Sequence, residues 1–208
     1  LDSIQRILIT AEQKHFINDS IVRKWTKQSL YALPKIYDAH VIKADYLIEN
    51  IDLSFKMWKE CPWNQDLPFE DFCELILPYR IDDEPLSNWR LAYFNTYFSS
   101  LDSFVDCTDP LLLCNTLSKE LSKKEFFYTT DFDMPHLSAR FLLTHHVGFC
   151  REMCDQAVYA MRACGIPVTV DMFVYSPEYQ GSHQWNVVKK KNGHFYPFWT
   201  SWYEMNNN

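Results

Sequence analysis

Glycine is nearly missing from this chain. Only four of its 208 residues are glycine (Gly148, Gly165, Gly181 and Gly193), so the first 147 contain none. Glycine marks tight turns and left-handed backbone, and its confinement predicts helices joined by Pro, Asn and Asp turns, with hairpins only in the last third. Long apolar runs are missing too: none approaches the roughly 20 residues needed to cross a bilayer, so no transmembrane segment is expected. Positive charge is in deficit, with 20 Lys and Arg against 27 Asp and Glu, a net charge of −7. The basic residues are dispersed, which argues against a nucleic-acid partner. The single basic run, Lys189-Lys190-Lys191, precedes Asn192-Gly193 and reads as a solvated hairpin tip. No secretory signal opens the chain, but it starts at Leu1 without methionine, so a leader is compatible with it.

What is present is apolar mass: 47% of the residues are hydrophobic and 16% of the chain is aromatic, enough to bury a sizeable core in one large domain or two small ones. Seven cysteines (61, 73, 107, 114, 150, 154 and 164) are an odd number whose spacings form no disulfide framework. Several should serve as small buried hydrophobes, and at least one is left unpaired.

Ile42, Leu47, Ile48, Ile51, Phe55 and Trp58 approximate a 3.6-residue stripe and predict an amphipathic helix over about 41–60. Pro68 opens a second helix, with Glu70 and Asp71 in its first turn, ending near 78–80. A third helix is predicted from Trp89 to Phe104, and a fourth begins at Asp109-Pro110 with Asp109 as N-cap. Phe126 to Thr130 is β-prone, Asp131 to Pro135 reads as a loop, and His136 to His145 as a short helix. Strands follow at 168–175, 183–190 and 194–199, the last two joined by the strong hairpin turn Asn192-Gly193.

One constellation carries chemistry. Cys150 follows Gly148 and opens a stretch, Arg151 to Ala163, of good helix formers without a breaker. The free N–H groups and dipole of a helix N-terminus favour a thiolate, and the Cys150 N–H is a candidate oxyanion donor. Gly165 is a natural left-handed C-cap, and Pro167 prevents the helix from continuing. The chain then returns through one strand to His183, whose imidazole can take a thiol proton and return it to a leaving amine.

Gly148-x-Cys150, a helix closing in Arg162-Ala163-x-Gly165-Ile166-Pro167, and His183-x-Trp185 resemble the core motifs of the transglutaminase-like superfamily of papain-like cysteine enzymes. The match covers about 135–200, and its spacing from cysteine to glycine selects Cys150 over Cys154. The variant Gly-x-Cys-x-Glu-Met with His-x-Trp-Asn is most similar to exported bacterial members that carry a helical N-terminal extension. The resemblance implies Cys150 as nucleophile, His183 as base, and amide hydrolysis or acyl transfer through a thioester. It also implies an exported location. One departure stands out: the family places an aspartate on the strand after the histidine strand, and here that position falls at or near Trp199, with no carboxylate. Asp171 on the preceding strand, and after it Glu204, are the substitutes. Asn186, three residues beyond His183, should face the other way.

The expected fold is therefore α+β: a papain-like, transglutaminase-like core at 126–208, its nucleophile helix on an antiparallel sheet, and a mainly helical region at 1–125 packed onto it. The expected function is a thiol-dependent hydrolase or acyltransferase on amide bonds of a peptide or peptidoglycan-like substrate. Cys150, His183 and Asp171 would be catalytic, and Trp185 and Trp199 would contact substrate. The alternative is a catalytically degenerate binding module of the same fold, for which the Trp199, Trp202 and Tyr203 cluster supplies a surface. Cys150 and Cys154, one helical turn apart and with His145, His146 and His183 as neighbours, are a weak zinc signal. No metal or other cofactor is expected.

Overall fold

The computed structural model describes residues 36–200 apart from 105, 129–135 and 179. The expected loop at 131–135, most of the 126–130 strand's second half, and Trp202, Tyr203 and Glu204 lie outside the described residues. A helical turn, α1 (Asp38–Val41), precedes the long helix α2 (Ala44–Glu60). The buried stripe of α2 is rotated from the expected one: Ile48 and Ile51 are exposed, while Asn50, Ser54 and Met57 are buried. The cause is polar. Asn50 donates from Nδ2 to the Leu77 carbonyl at 2.9 Å and accepts at Oδ1 from Arg90 Nε at 2.7 Å, which turns that face inward.

Helix α3 (Phe69–Leu75) starts immediately after Pro68, as expected. Its Phe72 stacks on Trp58 with ring centroids 4.6 Å apart, fastening α3 to α2. The expected third helix is real but divided. Regular α4 (Arg90–Tyr97) tightens into a 3₁₀ segment at Phe98–Phe104. Helix α5 (Pro110–Ser122) is capped as the sequence suggests, Asp109 Oδ1 accepting from the Leu111 N–H at 3.0 Å.

A two-residue strand β1 (Phe127–Tyr128), helix α6 (Ala139–Thr144) and strand β2 (Val147–Gly148) lead into helix α7 (Cys150–Ala163). β1 and β2 pair in parallel, with Tyr128 opposite Gly148. The remaining strands form an antiparallel sheet in the order β3 (Val168–Ser176), β4 (Gly181–Lys189), β5 (Phe195–Phe198). Helix α7 is the centre of the molecule, buried at every residue from Glu152 to Ala163. The sheet covers one side and the helices from α2 to α6 cover the others.

Local chemistry locks the two sides together. At the end of α7, Gly165 takes φ +71°, and a Cβ there would come within 2.9 Å of Met57 Cβ on α2. The Gly165 carbonyl accepts from Trp63 Nε1 at 3.0 Å and from Asn64 Nδ2 at 2.8 Å. The lysine run is tethered and not merely solvated: Lys189 pairs with Asp71 at 2.6 Å, Lys191 with Asp66 at 2.7 Å, and Lys190 reaches Asp109 at 3.6 Å.

Candidate functional site

The start of α7 is shaped by the space that Gly148 leaves. Gly148 has φ +143°, and a Cβ on it would fall 2.5 Å from Glu152 Cβ. The missing side chain admits Glu152, which is fully buried and accepts at Oε2 from the Phe149 N–H at 2.9 Å. This is the acidic half of a capping box. Arg151 donates from Nε to Glu152 Oε1 at 2.8 Å, balancing the buried charge. Cys150 is therefore the first residue of a rigidly started 14-residue helix, half-buried, at the end to which the helix dipole draws negative charge.

Tyr128 stands beside it. The β1–β2 pairing brings the phenol against Cys150, so that thiol and Cys150 N–H both act on its titration. Burial raises the Tyr128 pKa, the neighbouring thiol raises it further, and the Cys150 N–H lowers it. A half-exposed phenol at the mouth of the helix N-terminus is thus an additional hydrogen-bonding group at the thiol.

Cys150 differs from its neighbour on the same helix. Cys154 is fully buried, and burial pushes its thiol far up, out of the range in which a thiolate forms. The zinc grouping does not assemble among the described residues. The His145 ring stacks on Phe141 at 4.3 Å and His146 Nδ1 is taken by Gln156, leaving the two cysteines without converging imidazoles.

The opposite side of α7 carries β4. Asn186, fully buried, donates from Nδ2 to the Cys154 carbonyl at 3.1 Å, and the Lys189 N–H bonds the Pro167 carbonyl at 2.9 Å. Strand and helix therefore run the same way, and His183 lies toward the Cys150 end. Alternation along the strand then puts His183 and Trp185 on the face turned away from α7. The rings bear this out: His183 lies 5.3 Å from Trp199, 5.9 Å from Phe173 and 6.4 Å from Trp185, centroid to centroid. Asp171 shares that face, opposite Trp185, but is exposed, and its Oδ1 accepts from the adjacent Met172 N–H at 2.8 Å. Among the described residues, His183 makes no hydrogen bond to Cys150 or to Asp171.

The structure thus gathers His183, Trp185, Trp199 and Phe173 into one half-exposed aromatic face with Asp171 at its margin. Cys150 sits at the same end of the fold with Tyr128 and the buried Glu152. Tyr128 was beyond sequence reasoning, because nothing in Phe127-Tyr128 signals a parallel two-residue pairing. Glu152 was legible in principle, three residues after a turn and at the helix start.

No protein-family model matches the chain, and no curated protein matches it. Among solved structures it is similar to the crystal structure of the periplasmic domain of TgpA from Pseudomonas aeruginosa bound to ethylmercury. The identity is 17% and the TM-score 0.41, over 56% of this chain and 45% of that one, so this chain spans less than half of that structure. In class the protein is α+β, a buried central helix between a three-stranded antiparallel sheet and a helical layer. None of its described helices is long and apolar enough to cross a membrane.

Proposed function

We propose that the protein is a transglutaminase-like cysteine enzyme with a papain-like core at 126–208 and a helical extension at 1–125. It would act on amide bonds of a peptide or peptidoglycan-like substrate, in an exported location. The observation that carries the reading is the seat of Cys150: a half-buried thiol on the first turn of a buried helix, with a phenol beside it, in a chain bearing the motif order described above.

In this reading the Cys150 thiolate attacks the amide carbonyl carbon, forming a C–S bond, while first-turn N–H groups hold the oxyanion. His183 returns a proton to the amine as the C–N bond breaks, leaving a thioester on Cys150. Water or a second amine then cleaves the thioester and restores the thiol. Asp171 would orient the imidazole and Trp185 and Trp199 would flank the substrate. The scheme requires the His183 ring to leave Trp199 and reach round the end of β4 toward the sulfur.

The test is iodoacetamide alkylation of Cys150 from about pH 5 to 9, a window around the free thiol pKa of roughly 8.5. An activated thiol reacts faster than the same cysteine in urea at the acidic end, and H183A removes that advantage. Equal rates in folded and unfolded chains would dispose of nucleophile chemistry.

A second reading rests on a separate observation, the stacking of His183 among Phe173, Trp185 and Trp199. There the domain binds a peptide or glycan on that aromatic face without turning it over. Tryptophan quenching by peptidoglycan fragments that is abolished in W199A and unchanged in C150S supports this reading over catalysis.

A further inference from the structure

On the side of α7 turned away from the sheet, one stripe faces the loop between α3 and α4. Tyr159 donates to Glu84 Oε1 at 2.8 Å, Arg162 donates from Nε to the Leu75 carbonyl at 3.0 Å, and Asp155 faces His136. Glu84, itself buried, folds the loop around its carboxylate, accepting from the N–H of Ile81 at 2.9 Å and of Asp82 at 2.8 Å. This fixes the backbone at Asp82 and Asp83, whose side chains are 69% and 81% exposed.

His136 closes the group. Its Nε2 lies 3.8 Å from Asp82 Oδ2, and its Nδ1 lies 3.7 Å from Asp83 Oδ1 and 3.6 Å from Asp155 Oδ2. All three separations are too long for good hydrogen bonds. The Nε2–Asp82 separation is near the roughly 3–3.5 Å between ligands that each stand about 2.0–2.2 Å from one ion, and the exposed Asp83 side chain, now on the Nδ1 side, can turn to join them. One donor atom each from Asp82, Asp83 and His136 lie within 4.8 Å of one another.

A second observation sets this apart from an ordinary acidic surface. Asp155 is 1% exposed and His136 8% exposed, yet among the described residues Asp155 Oδ2 and His136 Nδ1 are both without a hydrogen-bond partner, 3.6 Å apart. A buried carboxylate oxygen left so is costly unless a cation or a proton compensates it. Arg151, whose charge acts on both Asp155 and His136, is hydrogen-bonded to Glu152.

We propose that Asp82, Asp83 and His136 form a binding site for a divalent cation of the manganese-to-zinc series. His136 would bind through Nε2, and Asp155 would act as a positioning residue that receives the Nδ1–H. An imidazole with carboxylates suits these ions better than magnesium or calcium, which prefer all-oxygen sets. A carboxylate behind a ligating histidine fixes its tautomer and ring orientation. The site does not use the Cys150 thiol and does not depend on the proposed acyl chemistry.

Mn²⁺ is the suitable probe, since seven free thiols would compete for zinc. Chelator-treated full chain is titrated with Mn²⁺, and free ion is followed by electron paramagnetic resonance. The expected result is one saturable equivalent, weakened at least tenfold in D82N/D83N and in H136Q, and about 10–100-fold in D155N. C150S and the exposed pair variant D45N/D52N should bind as the native chain does. Because Asp82 and Asp83 are exposed, the metal-free D82N/D83N should melt at the native temperature, which separates lost binding from lost folding. No saturable Mn²⁺ binding, or binding that survives D82N/D83N, overturns the site and leaves His136 and Asp155 as an internal pair.

Discussion

The Asn186 side chain donates to the Cys154 carbonyl at 3.1 Å, and this bond fixes how β4 lies on α7. It decides two things at once: His183 is brought to the Cys150 end of the helix, and it is turned to the far face of the sheet. Removing the amide leaves a buried gap and one fewer bond. N186A should lose about 1–2 kcal/mol, a melting-temperature drop of about 2–8 °C for a chain this size. Urea denaturation measures it, and an unchanged midpoint would mean the bond does not hold the strand.

Gly148 and Glu152 form the other coupled pair. G148A places a methyl 2.5 Å from Glu152 Cβ on a backbone at φ +143°. Strain and overpacking together should cost about 2–4 kcal/mol. Because part of that is the collision, the double variant G148A/E152G, which removes the Glu152 Cβ as well, should lose less than the sum of its single losses. Strict additivity in a double-mutant cycle would show that backbone strain alone is responsible.

Much of the fold was legible. Scarcity of glycine separated a helical part from a hairpin part, Asp109-Pro110 announced a capped helix, and Asn192-Gly193 announced the turn between β4 and β5. Local chemistry fixes these features, so local reading finds them. The rotated stripe of α2 was not legible, because Asn50 is drawn inward by Arg90, 40 residues away. The tethered lysine run escaped for the same reason, its partners being Asp66, Asp71 and Asp109. At the candidate site, the start of α7 at Cys150 could be read from sequence. The side of the sheet that His183 occupies follows from one long-range hydrogen bond, and spacing along the chain does not contain it.

The cysteines give a counting experiment. Cys61, Cys114, Cys154 and Cys164 are buried, while Cys73, Cys107 and Cys150 are half-buried, and all seven are free. Burial also suppresses the thiolate: Cys61 is pushed up to about 12, and Cys114, Cys154 and Cys164 are raised as well. Ellman's reagent near pH 8 should therefore modify no more than three thiols in the folded chain, and all seven after unfolding in guanidinium. A fourth fast-reacting thiol in native buffer would contradict this arrangement.

Arg90 carries the sharpest stability prediction. It is 2% exposed, and among the described residues its guanidinium meets no carboxylate directly. Instead Nε donates to Asn50 Oδ1, Nη1 to the Arg162 carbonyl at 3.0 Å, and Nη2 to the carbonyls of Ile76, Leu77 and Pro78. These acceptors end α3 and α7 and include the residue that rotates α2, so one side chain joins three helices. Lysine keeps the charge but offers three donors from a single point, and it cannot reach acceptors spread around a planar fork. Each buried acceptor left unmet costs about 1–3 kcal/mol. R90K should therefore destabilise the protein by about 3–5 kcal/mol, a large part of the roughly 5–15 kcal/mol that holds a domain folded. A loss below about 1 kcal/mol in R90K by chemical denaturation would mean that the carbonyls find water when the fork is gone.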